Sequence, residues 1–229
     1  MRVPVSERFA IVIPALNAEP SVRAVVRGCI EQLPDVVVVD DGSTDDTAAA
    51  AASAGAIVLH HPLRRGKGGA MRTGFAWALE RGFDGIIGVD ADGQHLPSEI
   101  PKLLRCREES NADLIIGGRS HLFAQMLPRR RMANRFSTWA IAKFSGTAIT
   151  DSQCGFRFYS SRLLRGVTLR AEGFDMDSEV IVRAGVSGFK IAMTPIDMGF
   201  VDGISTSHFR AVRDTLRIAA TVLRVRYLG

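Results

Sequence analysis

Hydrophobic and polar residues alternate along the first half of the chain in blocks of the length of strands and helices. Each short apolar run is followed by a longer stretch with helical spacing. The pattern predicts strands at Phe9–Pro14, Val36–Val39, Ala56–His60, Gly85–Asp90 and Asp113–Ile116, and helices at Val22–Leu33, Thr47–Ala54, Gly69–Leu79 and Glu99–Arg107. Strands and helices that alternate at this spacing form right-handed βαβ units around a parallel sheet.

The pattern becomes less regular after Gly117. It predicts a basic helix at Arg129–Phe144, a strand at Gly155–Tyr159, a helix at Asp177–Ala184, a strand at Lys190–Pro195 and a final helix at Phe209–Leu228. No linker or internal repeat separates the two halves. We therefore expect one α/β domain over residues 1–229, with a mainly parallel sheet flanked by helices and an amphipathic C-terminal helix.

The composition is that of a globular protein, with 46% hydrophobic and 23% charged residues. The three cysteines are far apart, which supports neither a disulfide framework nor a zinc ribbon and favours a reducing compartment. No window approaches the roughly 18 apolar residues of a membrane span. Pro14 and Asn17 favour a buried strand over a signal peptide at the start of the chain.

Basic residues are concentrated in two segments. Residues 118–145 hold six basic residues and no acid, and residues 204–229 hold five arginines and one acid. The net charge of the whole chain is +5, so the remainder is acidic. Cationic segments on an acidic body indicate an anionic partner.

Polar loops follow three of the predicted strands. They contain Asn17, the run from Asp40 to Asp46, and the run from Asp90 to His95. In open α/β sheets, ligands bind beyond the carboxyl ends of the strands. Each loop alone could be a helix cap or a turn. Together they predict a site whose carboxylates need a cation.

The run Asp90-Ala91-Asp92 is the sharpest signal for a metal. In an extended segment residues two apart point the same way, so Asp90, Asp92 and Gln94 can face one ion. Oxygen ligands of this kind suit Mg²⁺ or Mn²⁺, and the lack of paired His or Cys residues disfavours zinc. His95 is a weaker candidate ligand because it lies off the alternation.

A glycine-rich stretch, Arg64 to Gly69, opens a predicted helix. Free amides at a helix N-terminus bind anions, and Lys67 would add a positive charge. The spacing is not that of a Walker loop, and the stretch alone is a weak signal. Beside a two-carboxylate metal site it suggests a diphosphate bridged by a metal.

Four motifs occur in order along the chain. They are Ile11-Val12-Ile13-Pro14-Ala15-Leu16-Asn17, Val38-Val39-Asp40-Asp41-Gly42-Ser43-Thr44-Asp45, Gly66-Lys67-Gly68-Gly69-Ala70-Met71-Arg72-Thr73-Gly74 and Asp90-Ala91-Asp92-Gly93-Gln94-His95. Together they resemble the family 2 glycosyltransferases with the A-type nucleotide-sugar fold. Further motifs resemble the polyprenyl-phosphate branch, which includes dolichyl-phosphate mannose and glucose synthases. They are Gly117-Gly118-Arg119, Asp151-Ser152-Gln153-Cys154-Gly155-Phe156-Arg157 and Ser207-His208-Phe209.

The resemblance implies a role for individual residues. The nucleotide-sugar would be bound by Pro14, Ala15, Leu16, Val39, Asp40, Asp41, Lys67 and Ala91. Asp90, Asp92 and Gln94 would hold Mg²⁺ or Mn²⁺ on the diphosphate. Arg119, Arg130 and Asn134 would meet the acceptor phosphate. Residues 1–118 would then form a nucleotide-binding half, 119–208 an acceptor half and 209–229 the amphipathic helix.

Two departures from the family pattern concern charged contacts. Ala18 follows Asn17 where the family usually has Glu, and Glu19 comes one residue later. The late Gly-x-Ser-Lys pattern reads Gly203-Ile204-Ser205 here, with His208 nearest the basic position. The first departure shifts or removes the acidic contact to the nucleotide. The second changes the residue at the position of the cation that closes the site.

We expect a metal-dependent, inverting transfer of a sugar to a polyprenyl phosphate, with Asp92, Arg119, Arg130 and Asp151 as the catalytic candidates. A lipid phosphate is ionised at pH 7 and needs placement by arginine, whereas a hydroxyl acceptor would need a base such as Asp151 or Asp175. The enzyme would be cytoplasmic and peripheral on the inner face of the membrane, with the arginines of the final helix on the bilayer.

Three alternatives remain from the sequence. The acceptor could be a hydroxyl of a lipid or glycan. A nucleic-acid-binding protein would leave the acidic and glycine-rich loops unexplained, so no nucleic-acid partner is expected. A nucleotidyltransferase of related fold lacks its usual glycine-arginine signature near the N-terminus.

Overall fold

The computed structural model describes residues 7–125, 128–199 and 211–228. These residues form one seven-stranded sheet in the order β3-β2-β1-β4-β6-β5-β7. The strands are β1 (Phe9–Ala15), β2 (Val36–Asp40), β3 (Ile57–His60), β4 (Gly85–Gly88), β5 (Leu114–Gly118), β6 (Arg157–Ser160) and β7 (Ile191–Pro195). The helices are α1 (Glu19–Gln32), α2 (Thr47–Ser53), α3 (Gly66–Glu80), α4 (Ile100–Ser110), α5 (Pro128–Ser145), α6 (Ser161–Gly166), α7 (Met176–Val186) and α8 (Ala211–Leu228).

The predicted α/β class and the mainly parallel sheet are confirmed. Strands β1, β2, β3 and β4 pair in parallel, as do β5 and β7. The central strands are apolar on both faces, and Ile11, Val12 and Ile13 of β1 have no exposed surface. Such strands belong to sheets that helices cover on both sides.

Strand order reverses at β1, which lies between β2 and β4. Ligands of open α/β sheets bind in the crevice at such a switch point, beyond the carboxyl ends of the strands. The loops after β1 and β4 begin at Leu16 and Val89 and flank this crevice. The fold therefore brings the first and fourth motifs to the same edge.

Strand β6 is the main departure from the predicted topology, because it runs antiparallel between β4 and β5. Its side chains are buried on both faces, and the ring of Phe158 meets Phe9 edge-on at 5.5 Å. A buried run of four residues gives no signal for strand direction, so the sequence pattern could not show that β6 is antiparallel.

The helices differ from prediction in two ways that matter here. Helix α3 begins at Gly66, three residues before the predicted start, so the glycine-rich stretch forms its first turn. The short helix α6 was not predicted; Ser160 caps it by accepting a hydrogen bond from Leu163 N–H at 3.0 Å. In the described ranges, none of the helices combines the length and apolarity that a bilayer span requires.

Candidate active site

Asn17 ties the loop after β1 to the loop after β2. Its backbone is left-handed, with φ of 50°, and its N–H donates to Ser43 Oγ at 2.9 Å. In return, its Oδ1 accepts from Thr44 N–H at 2.8 Å. Asparagine adopts this conformation more readily than most residues. The two loops thus form one wall of the crevice.

The two carboxylates that end β2 are buried and already bonded. Asp40 Oδ2 lies 2.8 Å from His60 Nδ1, and its Oδ1 accepts from Ser43 N–H. Asp41 Oδ1 accepts from Arg65 N–H at 2.8 Å and Oδ2 accepts from Gly66 N–H at 2.7 Å. Both carboxylates therefore hold loops, and their predicted contact with a nucleotide stays a prediction.

The other residues predicted to line the nucleotide differ in accessibility. Pro14 and Leu16 are half-buried at the mouth of the crevice. Ala15, Val39 and Ala91 are buried, and Ala15 lies beside Asp40 in the sheet. Glu19 is exposed at the first turn of α1, and its backbone N–H donates to Asp45 Oδ2 at 3.2 Å. The backbone of Glu19, one position from where the family usually has an acid, is thus joined to the loop after β2.

The expectation of free amides in the glycine-rich stretch is wrong. Gly68 N–H and Gly69 N–H donate to Glu172 O at 2.8 and 3.3 Å, while the amides of Arg65 and Gly66 bond Asp41. These four donors are therefore unavailable to a phosphate.

Close backbone packing explains the glycines instead. A Cβ atom on Gly66 or Gly68 would overlap the carbonyl groups of Glu172 or Ala171. Gly66 also has φ of +81°, which side chains disfavour. Arg72 Nη1 also donates to Ala171 O and so stabilises the same backbone contact. The segment 170–175 is thus clamped to the start of α3.

The loop after β4 is folded around His95. Asp90 N–H donates to His95 Nδ1 at 3.0 Å, so the imidazole proton is on Nε2, which faces Cys154 Sγ at 4.0 Å. Both ring nitrogens point to protein atoms, and the side chain is 4% exposed. His95 is therefore a brace for the loop and not a metal ligand. Its burial lowers the pKa of the imidazole in spite of the nearby Asp90 carboxylate.

Lys67 neutralises the first carboxylate of that loop. Its Nζ lies 2.7 Å from Asp90 Oδ1 and 3.3 Å from Asp177 Oδ2. Burial of Asp90 works to raise its pKa, but Lys67, followed by His95 and Arg119, lowers it to about 2. The pKa of Lys67 is raised, since Asp177 and Asp90 outweigh its burial. Both groups are charged at neutral pH.

The carboxylates of this loop supply oxygen donors of the kind that Mg²⁺ and Mn²⁺ prefer. Asp92 is half-buried and uses Oδ1 to accept from Gln94 N–H at 3.0 Å. Within the described ranges, no three His, Cys, Asp or Glu side chains converge on one point. An ion would therefore take few protein ligands and complete its shell with water and phosphate oxygens, as magnesium usually does.

Arg119 is held beside this loop by Asp151. Its Nε and Nη2 donate to the two carboxylate oxygens at 2.8 and 3.1 Å. The Asp151 side chain is fully buried. Burial works to raise the pKa of Asp151, yet Arg119 holds it below its usual range. The guanidinium keeps its Nη1 hydrogens for another partner, since both bonds to Asp151 use Nε and Nη2.

Arg157 and Thr138 fix the loop that carries Asp151. The guanidinium of Arg157 is completely buried and donates to the carbonyls of Cys154, Ser152 and Asp177 at 2.5–2.8 Å. Thr138 Oγ1 accepts from Ser152 N–H at 3.1 Å, and Asn134 Oδ1 lies 3.4 Å from the same hydroxyl. The backbone of Arg130 lies in α5, but its side chain is outside the described part.

Helix α8 packs on α7, and its buried residues are Ile218, Thr221, Val222 and Val225. Thr221 Oγ1 donates to Asp175 Oδ2 at 2.9 Å, and Arg217 Nε lies 3.9 Å from Asp175 Oδ1. Asp175 is therefore held within the fold, although it was a candidate base. Gly203, Ile204, Ser205 and His208 lie outside the described residues.

Two functional neighbours were not predicted from the sequence as site residues. The sequence predicts Asp177 only as the start of a helix, whereas in the structure it pairs with Lys67. Arg157 belongs to a motif that we quoted, but nothing marked its side chain as buried. An arginine in the middle of an apolar strand, between Phe156 and Phe158, is the signal that could have revealed it.

Comparisons with known proteins identify the family. A family model described as glycosyl transferase family 2 matches residues 10–168. The chain belongs to glycosyl transferase family 2. An undecaprenyl-phosphate mannosyltransferase from Micrococcus luteus is 34% identical over 151 residues, which are 61% of this chain and 59% of that protein. The resemblance seen in the sequence is thereby confirmed.

Two further matches concern a second family 2 relative and the fold. A polyprenol monophosphomannose synthase from Mycolicibacterium smegmatis is 32% identical and aligns with 61% of this chain and 54% of its own length. The chain thus spans little more than half of these family 2 relatives. The crystal structure of Mycobacterium tuberculosis glucosyl-3-phosphoglycerate synthase with Mg²⁺ and uridine-diphosphate has a TM-score of 0.73 at 20% identity, covering 96% of this chain and 80% of that one. That likeness shows the A-type glycosyltransferase fold.

Proposed function

We propose that this family 2 protein is an inverting hexosyltransferase that moves a sugar from a nucleoside-diphosphate sugar to a polyprenyl phosphate. It would use Mg²⁺ or Mn²⁺ and act as a peripheral protein at the cytoplasmic face of the membrane. The names of the two curated relatives support the acceptor class. We assign the basic segments to lipid phosphate and membrane and not to nucleic acid.

The pairing of Arg119 with buried Asp151 carries the proposal. It presents a fixed, permanently charged guanidinium at the sheet edge that also holds Asp90 and Asp92. Arginine binds phosphate oxygens through directed hydrogen bonds, so this arrangement suits an ionised phosphate acceptor. A hydroxyl acceptor would need a base, and Asp151 is neither exposed nor free of Arg119.

Each residue then has a physical task. Asp151 orients Arg119, and Arg119, with Arg130 and Asn134, would hold the nucleophilic phosphate. Asp90, Asp92 and Gln94 would hold the divalent ion, which supplies stabilisation of charge on the leaving diphosphate. Lys67, beside Asp90, would offer a second positive charge to that diphosphate. Pro14 and Leu16 would contact the base at the mouth of the crevice, where Val39, Asp40 and Asp41 support the wall.

A radiolabelled transfer assay with a short, detergent-soluble prenyl phosphate tests the proposal. We expect an acid-labile sugar-phosphate-lipid product whose formation stops in EDTA. Asp92→Asn should lower Mn²⁺ affinity and transfer by at least about 100-fold, because it removes a ligand charge. An acid-stable glycoside, or undiminished turnover in EDTA, would count against the proposal.

The pH dependence gives a second readout of the acceptor class. The second pKa of a phosphate monoester is about 6. We therefore expect the rate to rise with pH near 6 and then to level off, and Asp151→Asn should leave that midpoint unchanged. A rate whose pH dependence disappears in Asp151→Asn would instead identify the carboxylate as a base for a hydroxyl acceptor.

A further inference from the structure

The outer face of α5 carries large apolar side chains that the described part of the chain leaves uncovered. Met132, Phe136 and Trp139 are 71%, 66% and 59% exposed. They are four and three residues apart, so they lie in one stripe along the helix. The rings of Phe136 and Trp139 lie 5.9 Å apart. Clustered exposed apolar groups of this kind mark an interaction surface.

The opposite face of α5 is the one that packs on the fold. Thr138 and Ile141 are buried, and they come two residues after Phe136 and Trp139. Two residues correspond to about 200° around an α-helix. The stripe is therefore not the core-facing side of α5 and needs a different partner.

The charge around the stripe indicates the chemistry of that partner. Helix α5 contains five basic residues and no acidic one. Arg131 and Arg135 are exposed beside the stripe, and Lys143 Nζ lies 5.4 Å from the centre of the Trp139 ring. Aromatic side chains enter the interfacial layer of a bilayer, while arginine and lysine meet anionic headgroups.

We propose that this membrane face, made of Met132, Phe136 and Trp139 with the flanking cations, docks on an anionic lipid bilayer. The inference rests on the proposed function, because a lipid-linked acceptor must be reached at a membrane. The inner side of α5 contacts Ser152, next to the Asp151 that orients Arg119. The membrane face is thus about one helix diameter, roughly 10–12 Å, from the loop that positions the acceptor-binding arginine.

Tryptophan fluorescence tests the docking directly, since the chain has only two tryptophans. Trp77 is buried against Phe83, whereas Trp139 is exposed. Vesicles of phosphatidylcholine with phosphatidylglycerol should shift the emission of the protein to the blue, and brominated lipids should quench it. Trp139→Phe should abolish both effects. Emission that does not respond to these vesicles would overturn the proposal.

Variants on and off the face separate docking from catalysis. Phe136→Ser with Trp139→Ser should lower vesicle partitioning by about 30-fold or more, because two aromatic side chains no longer leave water. The matched control is Ile57→Thr, which removes an exposed apolar side chain on the far edge strand β3 and should bind vesicles normally. Transfer to the soluble acceptor should stay unchanged in both.

Charge and self-association complete the test. Arg131→Gln and Arg135→Gln should each weaken binding to anionic vesicles about fivefold and leave binding to pure phosphatidylcholine unchanged. A blue shift that grows with protein concentration in the absence of lipid, together with a dimer in light scattering, would assign the face to a second copy and refute the bilayer. If the wild type binds vesicles but never forms the sugar-phosphate product, the proposed function fails while the docking stands.

Discussion

At the scale of single residues, Asp41 shows how a carboxylate at a ligand-binding edge can be used internally. Its oxygens accept hydrogen bonds from His61, Arg65 and Gly66, and His61 Nε2 continues to Thr73 Oγ1 at 2.9 Å. The chain of bonds runs from β2 to α3 and is almost entirely buried. Asp41 therefore sets the position of the glycine-rich turn before any ligand arrives.

Asp41→Ala should lower the free energy of unfolding by about 3 kcal/mol, because it leaves buried donors without an acceptor. Urea unfolding measures this change. Asp46→Ala is the matched control, since Asp46 is exposed and makes no side-chain cap to α2. If Asp41→Ala is as stable as the wild type and only nucleotide affinity falls, the direct nucleotide contact predicted from the sequence is the better account.

His95 is a positioning residue whose role depends on one nitrogen. Its Nδ1 accepts from the backbone of Asp90. His95→Asn places an oxygen near the position of Nδ1, whereas His95→Gln places one near Nε2. We expect Mn²⁺ affinity, followed by electron paramagnetic resonance, to drop about tenfold in His95→Gln and to stay close to the wild-type value in His95→Asn. Equal losses in the two variants would show that the hydrogen bond to Asp90 is not what matters.

At the scale of elements, the first turn of α3 packs directly against the backbone of residues 171–173. Gly68→Ala should lower stability by about 2 kcal/mol, because the added methyl group overlaps the Ala171 carbonyl. It should also lower donor affinity, since Lys67 is on the same turn. Glu172→Ala keeps the backbone carbonyl that Gly68 bonds, so both quantities should stay at the wild-type level. Thermal shift measures the stability and calorimetry measures the donor affinity. A Gly68→Ala variant as stable as the wild type would show that this backbone contact does not require glycine.

The elements that could be predicted are those whose pattern is local. The valines of β2 and the apolar run of β1 predict strands that the structure contains. Asp90-Ala91-Asp92 is predicted at the carboxyl-end edge of the sheet because it follows a strand. The antiparallel direction of β6 depends on contacts with Phe9 and with β5, which are distant in sequence. Two amides of the glycine-rich stretch donate hydrogen bonds to Glu172, which is about a hundred residues away in the sequence. Long-range partners of this kind leave no periodic signal.

At the scale of the whole molecule, buried carboxylates stabilise the second half of the sheet at both ends of its strands. Asp151 fixes Arg119 at the carboxyl end of β5. At the other end, Asp113 accepts from Arg162 Nε at 2.9 Å, Ser160 Oγ at 3.0 Å and Lys190 N–H at 3.1 Å. Asp113 therefore joins β5, β6 and β7 at their common edge, far from the site.

Acid should loosen this arrangement, and Asp113→Asn measures how much. Burial works to raise the pKa of Asp113, but its hydrogen bonds, led by Arg162, hold that pKa below its usual range. A carboxyl with a lowered pKa in the folded state contributes stability that is present above its unfolded pKa of about 4 and lost as pH falls through the folded value. Asp113→Asn should thus cost about 2 kcal/mol at pH 7, where the charged hydrogen bonds are intact.

The difference between wild type and Asp113→Asn should shrink as the pH is lowered from about 5 to 2, because the wild-type carboxyl then becomes protonated while the amide does not titrate. Urea unfolding at several pH values follows this difference. Mn²⁺ affinity at pH 7 should be unchanged in the variant, since Asp113 lies at the opposite end of β5 from Arg119. A stability difference that is constant across this pH range would mean that shape, and not the charge of Asp113, joins the three strands.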